Sequence, residues 1–266
     1  MEKTVTTSTL KEMKARGEKI AVLTCYDFSF AKILNEAGVD VLLVGDSLGN
    51  VKLGYENTLA VTVEDMIYHA KAVKRGNSRA MMWVDMPFMS YETTTADAVR
   101  NAGRIMKETG ANAVKLEGDF EMAGIVKALV NSKIPVVGHI GLTPQAIHQF
   151  GGFKVQGKTQ AAASKLLRGA KVLEKAGICA LVIEGVPSNV AKKITASVKV
   201  PTIGIGAGPY CDGQVLVADD MLGLFSEFKP RFVKHYAKLR AVILSAVKSY
   251  CKDVRSRAFP DKEHSY

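Results

Sequence analysis

No stretch of this 266-residue chain holds the roughly 18 consecutive apolar residues that a membrane-spanning helix needs. Its opening segment, MEKTVTTSTLKEMKARGEK, carries charges but no apolar core, which argues against a secretory signal. Cysteine is scarce: Cys25, Cys179, Cys211 and Cys251 stand far apart, with no CxxC pair and no histidine at zinc spacing. Neither a disulfide frame nor a zinc site is expected, and reduced thiols point to a cytoplasmic setting. Acidic residues are few enough to leave a formal net charge of +10, which on its face suggests nucleic acid. The excess is local, however. From Lys229 to Tyr266 there are ten Lys/Arg against three Asp/Glu, a net of +7. That places it on a C-terminal helix and polar tail, the pattern of a solvated face or subunit contact. Neither nucleic acid nor a membrane is expected as a partner.

What remains is ample for a core, with 47% hydrophobic and 23% charged residues. Short apolar runs recur at regular intervals: Ile20–Cys25, Val39–Val44, Ala80–Val84, Ala113–Leu116, Val136–Gly138, Ala180–Ile183, Thr202–Ile205 and Val215–Ala218. Helical patterns separate them, among them Phe28–Ala37, Val63–Arg75, Thr95–Thr109, Phe120–Val130, Gln160–Ala176 and Ser188–Ser197. Eight strands alternating with helices predict an α/β fold, a (β/α)8 TIM barrel, in preference to an open sheet. Residues 1–266 are read as one barrel domain. A short helix, Leu10–Arg16, would cover one end, and a basic helix from Pro230 to about Tyr250 would precede the tail.

Four of the apolar runs deliver an acid as they end: VLLVG before Asp46, MMWV before Asp85, AVKL before Glu117 and ALVI before Glu184. In a parallel barrel these strand ends carry the active site. Acids at the edge of an apolar core call for a partner or a metal, so a divalent cation is expected. Asp46 and Asp85 are the best direct ligands; either alone would equally suit a helix N-cap. Lys115 and Glu117, two apart on one strand, both point inward. They read either as an internal salt bridge or as substrate and metal-water contacts. Glu184 is the candidate base, with an ion pair to Lys115 or a helix cap as its structural alternatives. His139 and Ser47 are candidate substrate contacts. The stretch GIGAG, Gly204–Gly208, lacks full dinucleotide spacing and reads as close backbone packing. The connection from His139 to Thr159, rich in glycine with two phenylalanines, has the composition of a lid.

VLLVGDSLGNV, DMPF, VKLEG, GHIGLTPQ, VIEGVP, PTIGIGAG and CDGQVLVADDMLG, taken together, closely resemble the ketopantoate hydroxymethyltransferase family from about Thr9 to Arg231. The resemblance implies a barrel of the phosphoenolpyruvate/pyruvate type acting in pantothenate biosynthesis. It implies transfer of a hydroxymethyl group from 5,10-methylenetetrahydrofolate to 3-methyl-2-oxobutanoate through a Mg2+-stabilised enolate, giving 2-dehydropantoate. Asp46 and Asp85 would hold Mg2+ directly, and Glu117 would act through metal-bound water. Ser47 and Lys115 would hold the substrate carboxylate, His139 would contact a substrate oxygen, and Glu184 would be the base. The family also implies a homo-oligomer, often a decamer. A carbon–carbon lyase of the same superfamily would use a catalytic cysteine in a loop after a middle strand. No cysteine occurs between Cys25 and Cys179, which counts against that reading. A barrel that has lost catalysis is disfavoured by the full set of acids, Lys115 and His139.

Overall fold

The computed structural model describes residues 4–224 and 230–266. The first three residues of the opening segment, and Lys229 at the head of the basic stretch, lie outside the described residues. The chain divides into two compact units, Met1–Leu216 and Val217–Tyr266.

In the first unit eight parallel strands close into a barrel in sequence order. They are β1 (Ile20–Thr24), β2 (Val41–Val44), β3 (Met81–Asp85), β4 (Ala113–Glu117), β5 (Val136–Gly141), β6 (Ala180–Glu184), β7 (Thr202–Ile205) and β8 (Gly213–Leu216). β1 pairs with both β2 and β8, which completes the ring. Around them run α1 (Thr7–Arg16), α2 (Phe28–Glu36), α3 (Leu48–Val51), α4 (Val63–Gly76), α5 (Thr95–Thr109), α6 (Ala123–Asn131), α7 (Ile147–Phe150), α8 (Gln160–Ala176) and α9 (Ser188–Ser197). Among the described residues no helix is long and apolar enough to cross a membrane.

A parallel strand covered on both faces needs apolar residues without alternation. β2, β3 and β4 meet that condition, being buried at every position. Their side chains sort by twos into separate clusters. Val41, Leu43, Met81, Trp83, Val137 and Val182 fill the barrel interior. Their sequence neighbours Leu42, Val44, Met82, Val84 and Val114 meet the helices, packing with Met66 and Ala70 of α4 and Ala102 and Ile105 of α5. Continuing the inner set by twos gives Asp85, Lys115, Glu117, His139 and Glu184 at the strands' C-terminal ends. The opposite end is covered by the N-terminal segment. Val5 and Leu10 join the interior cluster, and Lys14 donates to the carbonyls of Thr195, Val198 and Val200 while pairing with Asp212 at 2.9 Å.

Helix starts follow their caps. Thr62 and Asp65 form a reciprocal capping box at α4, and Thr159 caps α8. The strand bounds differ from the sequence expectation at several ends: β2 starts at Val41 and not Val39, β8 spans Gly213–Leu216 and not Val215–Ala218, and β5 is extended by pairing. β5 runs on to Gly141, because Gly141 pairs in register with Glu184 on β6. Gly141 has φ +99°, and a Cβ there would collide with the Glu184 carbonyl. Its glycine therefore lets two strands meet beside a site residue. In GIGAG the close-packing reading holds at Gly208, where φ is +77° and an added Cβ would collide with Ser188.

The second unit holds α10 (Ala218–Met221) and α11 (Leu239–Ser256). The helix expected from Pro230 to about Tyr250 begins later and ends later. The backbone N–H groups of Tyr236 and Leu239 donate instead to the carbonyls of Met221 and Leu222. Those bonds hold the preceding segment in a non-helical path.

Asn35 on α2 is a buried brace between elements. Its Oδ1 accepts from the N–H groups of Arg79 and Ala80 at 3.1 and 3.2 Å, and its Nδ2 donates to Ala31 and Gly76 carbonyls at 2.8 and 3.3 Å. Removing it strands several backbone groups, each costing about 1–3 kcal/mol. Asn35→Ala should lower the urea midpoint, with a loss of about 3 kcal/mol in unfolding free energy.

Candidate active site

Strand register brings the inward residues together in pairs. Asp85 lies opposite Lys115, and Glu117 lies opposite His139. Asp46 follows β2 in the turn that leads into α3. Asp46, Asp85, Lys115, Glu117 and His139 are all buried, while Glu184 and Ser47 are half-buried. The geometry shows which of the charged groups meet. Lys115 Nζ pairs with Asp85 Oδ1 at 3.0 Å, and stands 4.0 Å from Glu117 Oε1. The salt bridge expected within β4 is thus mainly a bridge to β3. Glu184 faces His139, with Nε2 3.1 Å from its Oε2, and not Lys115. Neither Asp46 nor Asp85 caps a helix: Ser47 sits at the cap of α3 and Thr94 at that of α5.

Each titration shift has a local cause. Burial, then Asp85 and Glu117, hold the Asp46 carboxyl well above the usual carboxylate range. Burial raises Asp85 as well, opposed by Lys115. Burial also acts against Glu117, but His139, Lys115 and the Gln145 N–H outweigh it and lower its pKa. Lys115 is pushed up, since Asp85, Glu117 and Asp46 overcome the cost of burial. Burial and Lys115 oppose a charge on His139, yet Glu117 and Glu184 raise it to about 9. His139 Nδ1 stands 3.3 Å from Glu117 Oε1 and 3.3 Å from Lys115 Nζ.

Two further residues complete the site. Gln145, in the 3-10 turn Pro144–Ala146 after β5, donates its backbone N–H to Glu117 Oε2 at 3.0 Å. Its Nε2 donates to Asp46 Oδ2 at 2.8 Å and to the Met86 carbonyl at 3.0 Å. Tyr91 accepts from the Glu117 N–H and donates to Gln145 Oε1 at 2.6 Å. The sequence reading missed both. Gln145 closes the quoted stretch GHIGLTPQ, but nothing in its spacing says that a loop glutamine folds back. Tyr91 lies three residues beyond DMPF, in a connection with no periodic pattern. Ser47 Oγ meets Tyr26 OH at 2.9 Å.

Four carboxyl groups face one ammonium and one imidazole, an excess of acids over bases that a bound cation would offset. Among the described residues no group of three His, Cys, Asp or Glu side chains forms a ready metal cage. Mg2+ does not need one, since it keeps several waters and takes one or two carboxylates. Asp46 and Asp85 fit that requirement. Asp85 Oδ1 is buried with no directed hydrogen bond, because the approach of Lys115 meets the distance of an ion pair but not the angle. Glu117 has both oxygens engaged, with His139 and Gln145.

The ketopantoate hydroxymethyltransferase family model matches residues 4–262. The chain belongs to the ketopantoate hydroxymethyltransferase family. It is 56% identical to the 3-methyl-2-oxobutanoate hydroxymethyltransferase of Thermoanaerobacter sp. (strain X514), over 100% of this chain and 97% of that relative. The enzyme of the same name from Syntrophomonas wolfei subsp. wolfei is also 56% identical, over 98% and 95%. Among solved structures, a phosphonopyruvate hydrolase complex with oxalate and Mg++ superposes with a TM-score of 0.63 at 12% identity, covering 98% of this chain and 93% of that one. A 2,3-dimethylmalate lyase of the PEP mutase/isocitrate lyase superfamily gives 0.62 at 14%, covering 99% and 93%. At such identities these last two share the fold. This ketopantoate hydroxymethyltransferase family member is thus an enzyme built on a (β/α)8 barrel.

Lys115 is the ammonium that offsets part of the charge of this family member's buried acids. Lys115→Met should cost about 3 kcal/mol at pH 8, the scale of a buried pair broken by loss of one partner. Without the ammonium, Asp46 and Asp85 are raised further above their unfolded values, so stability is retained at low pH and lost as pH rises. Urea denaturation should therefore show a smaller deficit at pH 5 than at pH 8.

Proposed function

We propose that the chain transfers a hydroxymethyl group from 5,10-methylenetetrahydrofolate to 3-methyl-2-oxobutanoate, with water, giving 2-dehydropantoate and tetrahydrofolate. The observation that carries this reading is the buried mouth in which Asp46 and Asp85 keep oxygens for a cation while Glu184 stands apart beside His139. Asp46 and Asp85 would hold Mg2+, with Glu117 acting through its water. When bound, that cation supplies Lewis acidity toward the keto oxygen and offsets the charge of the substrate enolate.

The remaining work falls to the chain's own side chains. Ser47 and Lys115 hold the substrate carboxylate; Lys115 can do so while paired with Asp85 because an ammonium has three donors. Glu184, half-buried at the end of β6, takes the C3 proton. His139 holds Glu184 Oε2 through Nε2, which has no directed hydrogen bond. As Glu184 turns to the substrate, Nε2 is released to a substrate oxygen. The nucleophilic carbon formed on proton loss then bonds to the one-carbon unit, whose two bonds to the folate nitrogens break; water supplies the hydroxyl group and one proton, and the proton taken by Glu184 supplies the other, which leaves tetrahydrofolate. A cytoplasmic location and a homo-oligomeric, decameric assembly belong to the same proposal and follow from family membership; sedimentation tests the assembly.

Glu184→Gln should cut solvent deuterium exchange at C3 by about 10²–10⁴-fold, the usual worth of a positioned base. Mg2+-dependent binding of 3-methyl-2-oxobutanoate should persist. Exchange at the wild-type rate would rule Glu184 out. Tetrahydrofolate release from the two substrates, abolished by EDTA, tests the reaction as a whole.

A further inference from the structure

Gln145 touches neither the reacting carbon nor the proposed base, yet it spans three strand ends. Its side chain bonds Asp46 after β2 and the Met86 carbonyl after β3, and its backbone bonds Glu117 on β4. The orientation of the carboxamide is determined by its surroundings. Asp46 Oδ2 and the Met86 carbonyl are acceptors, so the amide nitrogen must face them. Tyr91 accepts from the Glu117 N–H, leaving its own proton for Gln145 Oε1.

The consequence lies in which carboxylate oxygens stay available. Asp46 Oδ2 is occupied by Gln145, and among the described residues Oδ1 receives no hydrogen bond. Asp85 Oδ2 accepts the Asp46 backbone N–H at 3.1 Å, and its Oδ1 faces Lys115 Nζ at 3.0 Å as an ion pair. Each acid therefore has at most one oxygen to offer a cation, and Asp85 would offer its own beside Lys115. One oxygen per carboxylate suits a small octahedral ion that retains water, such as Mg2+ or Mn2+. Ca2+ gains instead from carboxylates that bind through both oxygens and from six to eight ligands.

We propose that Gln145, held by Tyr91, is a positioning residue that limits Asp46 to single-oxygen coordination and so selects Mg2+-sized ions over Ca2+. This inference rests on the proposed placement of the metal at Asp46 and Asp85. It concerns how the site discriminates, not that it binds.

The test measures Mn2+ binding to the full chain by electron paramagnetic resonance, with Ca2+ as competitor and no substrate present. Gln145→Met keeps the side-chain length and the backbone bond to Glu117 but cannot donate to Asp46. It should raise the Mn2+ dissociation constant about 10–100-fold, the usual effect of losing a residue that orients a metal ligand. The Ca2+ constant should rise less or fall, so that the Ca2+/Mn2+ ratio drops at least about five-fold. Tyr91→Phe, which keeps the packing but frees the carboxamide to turn, should lower the same ratio by a smaller factor. A merely structural defect would weaken both ions alike, so an unchanged ratio in both variants overturns the proposal. Asp46→Asn is the control for the underlying site. If it retains wild-type Mn2+ affinity, the metal is not at Asp46, and the functional placement fails together with the inference. If it loses affinity while the Gln145 and Tyr91 variants keep the wild-type ratio, only the inference fails.

Discussion

The buried ammonium of Lys115 is the constraint on which the barrel mouth depends. It is inaccessible to water, yet it lies against Asp85 and within reach of Glu117 and His139. A lone charge in that position would be untenable, and so would the acids without it. Because it is not enough to neutralise them, the mouth retains a deficit that a divalent cation fits. Burial makes Asp46 and Asp85 hold protons more tightly than free carboxylates, whereas at Glu117 the contacts with His139, Lys115 and Gln145 outweigh it and the proton is held less tightly.

The division of labour among chemically similar acids comes from their neighbours. Glu117 meets His139 with Oε1 and the Gln145 N–H with Oε2, while Asp46 Oδ2 accepts from Gln145 and Asp85 Oδ1 faces Lys115. Glu184 is the most exposed of the four, and among the described residues its carboxylate meets His139. His139 joins the two halves of the site, with one nitrogen toward Glu117 and the other toward Glu184. A change on either side of the mouth is therefore felt on the other.

The barrel itself was legible because its physics is local. Parallel strands covered on both faces need continuous apolar runs, and helices between them need the longer period, so Thr95–Thr109, Gln160–Ala176 and Ser188–Ser197 were readable to the residue. Boundaries failed where distant partners set them. β5 reaches Gly141 because β6 is there to pair with it, and α11 starts at Leu239 because the preceding backbone bonds back to Met221 and Leu222.

Sequence alone determined which acids stand at strand ends, which residues share the inward face of β4, and that the chain is a barrel. Those facts follow from side-chain period and strand order. Only the tertiary structure decided who pairs with whom. Lys115 reaches across to Asp85, Glu184 turns to His139, and Gln145 returns from a loop 99 residues beyond Asp46 to hold it. A charge's partner depends on distances between strands and on which loop folds over the mouth, and a linear spacing records neither.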